Sequence, residues 1–380
     1  MSRVTVQPKM LRWAVERSGK TIEYILKKFP KFDLWCRNEA SPTFKQLEGF
    51  AKATYTPIGF LFLNNPPIES IPIPDFRTVA NQPLKQPSPD LLDTIYMCQQ
   101  RQEWFRDYVR SVGEQPLSFV GAVKRTHKIE KVAAEIRQTL RFDIEQRRKM
   151  STWEEALRSF IEQADNLGVL VMVSGVVGSN NKRKLDPQEF RGFALADNLA
   201  PLVFINGSDT KAAQMFTLAH ELAHVWLGQS GVSDTQAVQI PEHQVELWCN
   251  QVAAELLVPI DVLKSEYDKK NPLSDEINRL ARRFKVSTLV ALRRIHDANG
   301  ITKDQFWQAY HEELERLSNL KSGSGGNFYL TQAARVSKRF ARALVSSTLE
   351  GQTLHRDAFR MLGFSKLKTF NDLGRSLGVS

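Results

Sequence analysis

Residues 216–228 read FTLAHELAHVWLG, a segment that is almost wholly apolar apart from His220, Glu221 and His224. A buried polar group without a partner costs roughly 1–3 kcal/mol, so three ionisable side chains in a core-like segment call for a common partner. On a helix, positions i and i+4 lie on one face. His220 and His224 can therefore offer two nitrogens to one metal ion, with Glu221 one residue round, near enough to take a proton from water at that ion. The helix is expected over about residues 209–227, with Ser208 or Asp209 capping its start and Gly228 suited to its end. Zinc is the expected ion. The plainer alternative is a pair of core histidines bonded to carbonyls, with Glu221 paired to an arginine.

A catalytic zinc site takes three protein ligands and keeps one position open. The next helix, expected over about 242–257 in PEHQVELWCNQVAAELLVP, has Pro241 at its first turn and Pro259 at its stop. Val245, Trp248, Cys249, Val252, Ala253, Leu256 and Leu257 form its apolar stripe. Glu246 falls inside that stripe, Glu242 shares its face one turn earlier, and His243 is close by. Periodicity does not separate the two glutamates, and an ion pair with a Lys or Arg is the bland reading of Glu246. Glu255 falls just outside the stripe and is expected to be solvated.

The chain has 380 residues, with 42% hydrophobic and 25% charged residues, the profile of a soluble globular protein of two to four domains. No run approaches a membrane span, and the N-terminus carries no signal-peptide pattern. Cys36, Cys98 and Cys249 are odd in number and far apart, which speaks against a disulfide framework and for a reducing, cytoplasmic setting. The net charge of +10 makes an anionic partner, DNA included, conceivable without singling one out.

Five regions are expected from the punctuation: a helical module over 1–65, a Pro-rich connector and helical linker over 66–150, a core over 151–260, a packed helical domain over 261–320 and a basic helical end over 321–380. The connector includes NNPPIESIPIPDF, through which no regular helix or central strand runs. Within the core, GVLVMVSGVV, FRGFALAD and PLVFIN are short β-prone runs broken by Gly, Asp and Asn, the mark of a small sheet. The tract KSGSGGN at 321–327 separates the last two regions.

FRGFALAD, PLVFINGSDTKAAQMFTLAHELAHVWLG and ELWCNQVAAELLVP together resemble the ImmA/IrrE family of zinc metallopeptidases. The resemblance implies an α+β, mostly helical, zincin-like core in which a small sheet supports the HExxH helix and a Glu-bearing helix. It implies Zn2+ held by His220, His224 and Glu246, which decides for Glu246 over Glu242, with Glu221 as general base. It implies as substrate a repressor-like regulatory protein. Cys249 stands where the family usually has Ala, and Val252 where it has Phe. The strand PLVFIN is expected to pair with an extended substrate, and Tyr267 and His296 are weak candidates for an oxyanion donor.

Residues 8–57 resemble a helix-turn-helix of the Cro/repressor type, with ERSGKTIEYI fitting the first helix, the Gly-containing turn and the second helix. Residues 1–65 hold eleven Lys or Arg against five Asp or Glu, about +6. Lys27, Lys28, Lys31 and Arg37 are the candidate phosphate contacts; protein interaction or dimerisation is the other role open to such a module. The tract SDEINRLARRFKVSTLVALRRIHDANG suggests a second helix-turn-helix packing. Residues 321–380 carry about +7, read as a solvated basic face before a nucleic-acid contact. The leading expectation is a zinc endopeptidase acting on a regulator. The rival is a transcriptional regulator or antitoxin that binds DNA or a toxin partner with little proteolysis. Oligomeric state is not legible.

Overall fold

The structure, a computed structural model, describes residues 3–76, 86–233, 243–318 and 335–379. Glu242, Pro241 and the KSGSGGN tract lie outside the described residues. The chain divides into two compact units, Met1–Pro72 with Pro83–Ile95, and Ile73–Gln82 with Tyr96–Ser380. No described helix is long and apolar enough to cross a membrane.

The first unit is built on α1 (Pro8–Ser18), α2 (Ile22–Lys28), α3 (Phe32–Cys36) and α4 (Phe44–Ala53). Pro8 occupies the first turn of α1, where no N–H is needed, and Gly19 ends it at φ 62°, in the left-handed region. Thr21 Oγ1 accepts from Tyr24 N, and Thr43 and Gln46 form a reciprocal capping box at α4. Phe29, Phe32 and Trp35 gather round the buried Phe50 with ring centroids 5.6–6.5 Å away. α3 is five residues long and spends Phe32 and Trp35 on this core.

The second unit carries α5 (Pro89–Ser111, whose first residues belong to the other unit), α6 (Ile129–Leu140), α7 (Ile144–Lys149) and α8 (Trp153–Leu167). These precede β1 (Leu170–Ser174), β2 (Gly192–Leu195), β3 (Leu202–Asn206), α9 (Lys211–Leu227), β4 (Gly231–Ser233) and α10 (Gln244–Leu257). After them come α11 (Ile260–Glu266), α12 (Leu273–Phe284), α13 (Thr288–Asp297), α14 (Lys303–Ser318), α15 (Lys338–Leu349), α16 (His355–Leu362) and α17 (Leu367–Ser376). The fold is α+β and mostly helical, as the sequence leads one to expect.

The sheet runs β1-β3-β2-β4, with β1 parallel to β3 and the other pairs antiparallel. Both faces are covered, which is why the three β-prone runs are apolar without alternation. Val171, Ala194, Val203 and Ile205 join the core shared with α8 and α9. On the opposite face Met172 meets Cys98 of α5, Phe193 stacks on Phe204 at 5.0 Å, and Gln102 Nε2 donates to Leu195 O and Ala200 O. Asp165 of α8 accepts from Ser337 Oγ at 2.5 Å and from Arg339 N at 2.8 Å, holding the chain where α15 begins.

One expectation about this sheet is corrected. PLVFIN forms β3, an inner strand bonded on both sides to β1 and β2, so its backbone has no edge left for a substrate. The outer strands are β1 and β4.

Candidate metal centre

α9 is held from every side, and its residues from Gln214 through Trp226 are all buried. Its N-cap is Thr210, whose Oγ1 accepts from Ala213 N, rather than Ser208 or Asp209; Gly228 closes it in the left-handed conformation, as expected. Ser208 and Asp209 instead serve the turn before it, Ser208 Oγ donating to Gly175 O and Asp209 pairing with Arg191 at 3.2 Å. Gly192 of β2 lets α9 lie close on the sheet. A Cβ there would stand 2.6 Å from Thr217 Cγ2 and 3.0 Å from Glu221 Oε1.

α10 packs along α9 and brings Glu246 to the two histidines. Glu246 Oε2 lies 3.1 Å from His220 Nε2, Oε1 lies 2.9 Å from His224 Nε2, and the two Nε2 atoms are 3.1 Å apart. His220, Glu221 and His224 are fully buried and Glu246 is 2% exposed. Two ring nitrogens and a carboxylate thus converge to about the edge length of a tetrahedron around zinc, which is about 3.3 Å for bonds of roughly 2.0 Å.

The tautomer is set from behind. Asn250 Oδ1 can only accept, so the 2.9 Å contact with His220 Nδ1 places the proton on Nδ1 and leaves the Nε2 lone pair facing Glu246 and His224. Burial lowers the proton affinity of His224, working against the pull of Glu246. Burial raises that of Glu246, but the two imidazoles outweigh it and hold the carboxyl at about 2. Two imidazole nitrogens and a carboxylate, buried and in mutual contact, form a donor set suited to a cation. Both Glu221 oxygens are buried without a hydrogen-bond partner among the described residues. Burial first, and the Glu246 charge second, push the Glu221 carboxyl well above the usual range; the Ser233 hydroxyl pulls the other way without reaching hydrogen-bond geometry. The donor set fits a zinc-sized divalent ion with a base beside it.

Two further residues border the centre. Ser233 Oγ is 3.5 Å from His224 Nε2. Cys249 Sγ and a ring nitrogen of each histidine lie within 4.8 Å of one another, while burial and the two carboxylates keep the thiol pKa far above normal. Glu246 is thus the closer and the charged third donor.

Residues 164–296 match the IrrE N-terminal-like domain, a peptidase family. A stretch of 96 residues is 32% identical to the radiation response metalloprotease IrrE of Deinococcus radiodurans, covering 24% of this chain and 29% of that protein. Residues 164–296 thus carry the resemblance to the ImmA/IrrE family. The alignment spans less than a third of that relative's length, and residues 336–376 match a separate domain of unknown function, DUF8813.

Within and around the centre the structure adds residues that the sequence does not single out. Asn250 sits i+4 from Glu246, an amide on the ligand-bearing face of α10, and that spacing was the available signal. Glu255, expected in solvent, is 6% exposed; it pairs with Arg294 and accepts from Ile260 N. The reason is tertiary, since Arg294 comes from α13, 39 residues away. Tyr267 ends α11 beside Gly300, and His296 packs on Phe306. Lys27, Lys28, Lys31 and Arg37 are exposed around α2 and α3 of the other unit.

Proposed function

We propose that the chain is a zinc-dependent endopeptidase of ImmA/IrrE type that cleaves a repressor-like regulatory protein. The observation that carries the reading is the convergence of His220, His224 and Glu246 beside the fully buried carboxyl group of Glu221. Zinc, when bound by those three residues, supplies a Lewis acid that polarises a carbonyl and lowers the pKa of water.

The remaining chemistry belongs to the protein. Asn250 keeps His220 in the tautomer that presents Nε2. Glu221, with its proton affinity raised by burial, takes a proton from the attacking water and hands it to the leaving amine. The packed helices exclude bulk water from both carboxylates, which strengthens each of these interactions. The regulatory nature of the substrate rests on the family resemblance. The exposed cations Lys27, Lys28, Lys31 and Arg37 are proposed as an anionic partner's contact, on the strength of their exposure and charge.

The test is Glu221→Gln in zinc-loaded protein, assayed on a purified helix-turn-helix repressor. Cleavage should fall by about 10²–10⁴-fold while zinc content stays at wild-type level. Cleavage at the wild-type rate would remove the peptidase reading.

A further inference from the structure

The Pro-rich connector returns to the metal centre. Asp75 is the parallel bridge partner of Val232 in β4. Phe76 N donates to Val232 O at 3.0 Å, and Val232 N donates to Pro74 O at 2.9 Å. The Phe76 ring lies nearly parallel to the His224 imidazole, with centroids 5.7 Å apart and planes at 12°, and meets His243 edge-on at 5.6 Å. Gly231 makes room for it: a Cβ there would stand 2.3 Å from Phe76 Cε2 and 2.5 Å from Cδ2.

These contacts occupy a particular surface. β4 is the outer strand next to the HExxH helix, and an extended peptide binds such a strand through its free N–H and C=O groups. Here the Val232 N–H and C=O are both taken by the chain's own backbone. The four site groups are at most 2% exposed in this arrangement. Pro72 and Pro74 lack N–H groups, so the pairing cannot lengthen into a full strand in that direction. A short pairing of this kind is displaceable.

We propose that Pro74–Phe76 is an internal blocking strand, which holds the β4 edge against the substrate and must leave before an extended polypeptide enters. The incoming segment then places an aromatic side chain where Phe76 now sits, on Gly231 and beside His224. The inference rests on the peptidase reading, and binding measurements separate the two.

The experiment uses full-length, zinc-loaded Glu221→Gln protein, which binds without cutting, and a fluorescein-labelled peptide of residues 70–77, SIPIPDFR. Adding Phe76→Ala to the protein should tighten peptide binding by roughly tenfold or more, because the open edge is then the dominant state. Replacing the peptide's phenylalanine by alanine should cancel the gain. Hydrogen exchange at the Val232 amide should quicken in Phe76→Ala and likewise in Gly231→Ala, which expels the ring from the other side. Phe76→Ala with Glu221 intact should hydrolyse unfolded casein roughly tenfold faster than wild type. Equal peptide binding with and without Phe76, or unchanged Val232 exchange in both variants, overturns the blocking strand. Tighter peptide binding with no hydrolysis in any variant leaves the blocking strand standing and removes the peptidase reading.

Discussion

Asn250 Oδ1 accepts the Nδ1 proton of His220 at 2.9 Å, one turn beyond Glu246 on the same helix. A single helix thereby supplies both the carboxylate donor and the group that aims its histidine neighbour. Asn250→Ala should weaken zinc binding by about 10–100-fold, as loss of such outer partners does elsewhere. Competition with a chromophoric chelator measures this, and unchanged affinity would assign Asn250 to packing alone.

The identity of the third donor separates by metal analysis. Glu246→Gln should drop zinc from one per chain toward zero, because two neutral imidazoles alone make a poor site. Cys249→Ala should keep full stoichiometry, since Glu246 already supplies an oxygen within 3.1 Å of each histidine nitrogen. Zinc retained without Glu246 and lost without Cys249 would reverse the assignment.

Gly192 lets β2 approach the HExxH helix closely. Gly192→Ala places its methyl against Thr217 Cγ2, against Phe204 O at 2.9 Å and against Glu221. One of those contacts is backbone and cannot swing away, so a destabilisation of roughly 1–3 kcal/mol is expected. Urea denaturation measures it, and a wild-type midpoint would show that α9 yields freely.

Glu276 tests the electrostatics away from the metal. Its carboxylate accepts from Arg279, from Asn271 Nδ2 and from Asp268 N, and the Arg279 bonds foremost hold its pKa at about 2. The folded value lies below the usual 4.5, so this stabilisation is present above that pH and is lost as pH falls toward 2. Glu276→Gln should therefore lower stability at pH 7 by on the order of 1 kcal/mol, discounted because Arg279 is half in solvent. The gap from wild type should narrow steadily as pH falls from 4.5 and close only below about 2; a gap independent of pH would point to packing.

What the sequence determined alone is the local part of the site. The 3.6-residue period puts His220 and His224 on one face whatever surrounds them, and Gly228 ends their helix for steric reasons that need no neighbour. The same period left Glu242 and Glu246 level, and only a family resemblance chose between them. Tertiary structure decided what depends on which distant segments meet. Strand order buried the β3 backbone and made β4 an edge. Arg294 drew Glu255 out of solvent. The connector, which reads as a mere helix-breaker, laid Phe76 beside His224, about 150 residues away in the chain. Periodicity reports which face a residue shares along its own helix or strand, and has no term for the partner that arrives from elsewhere.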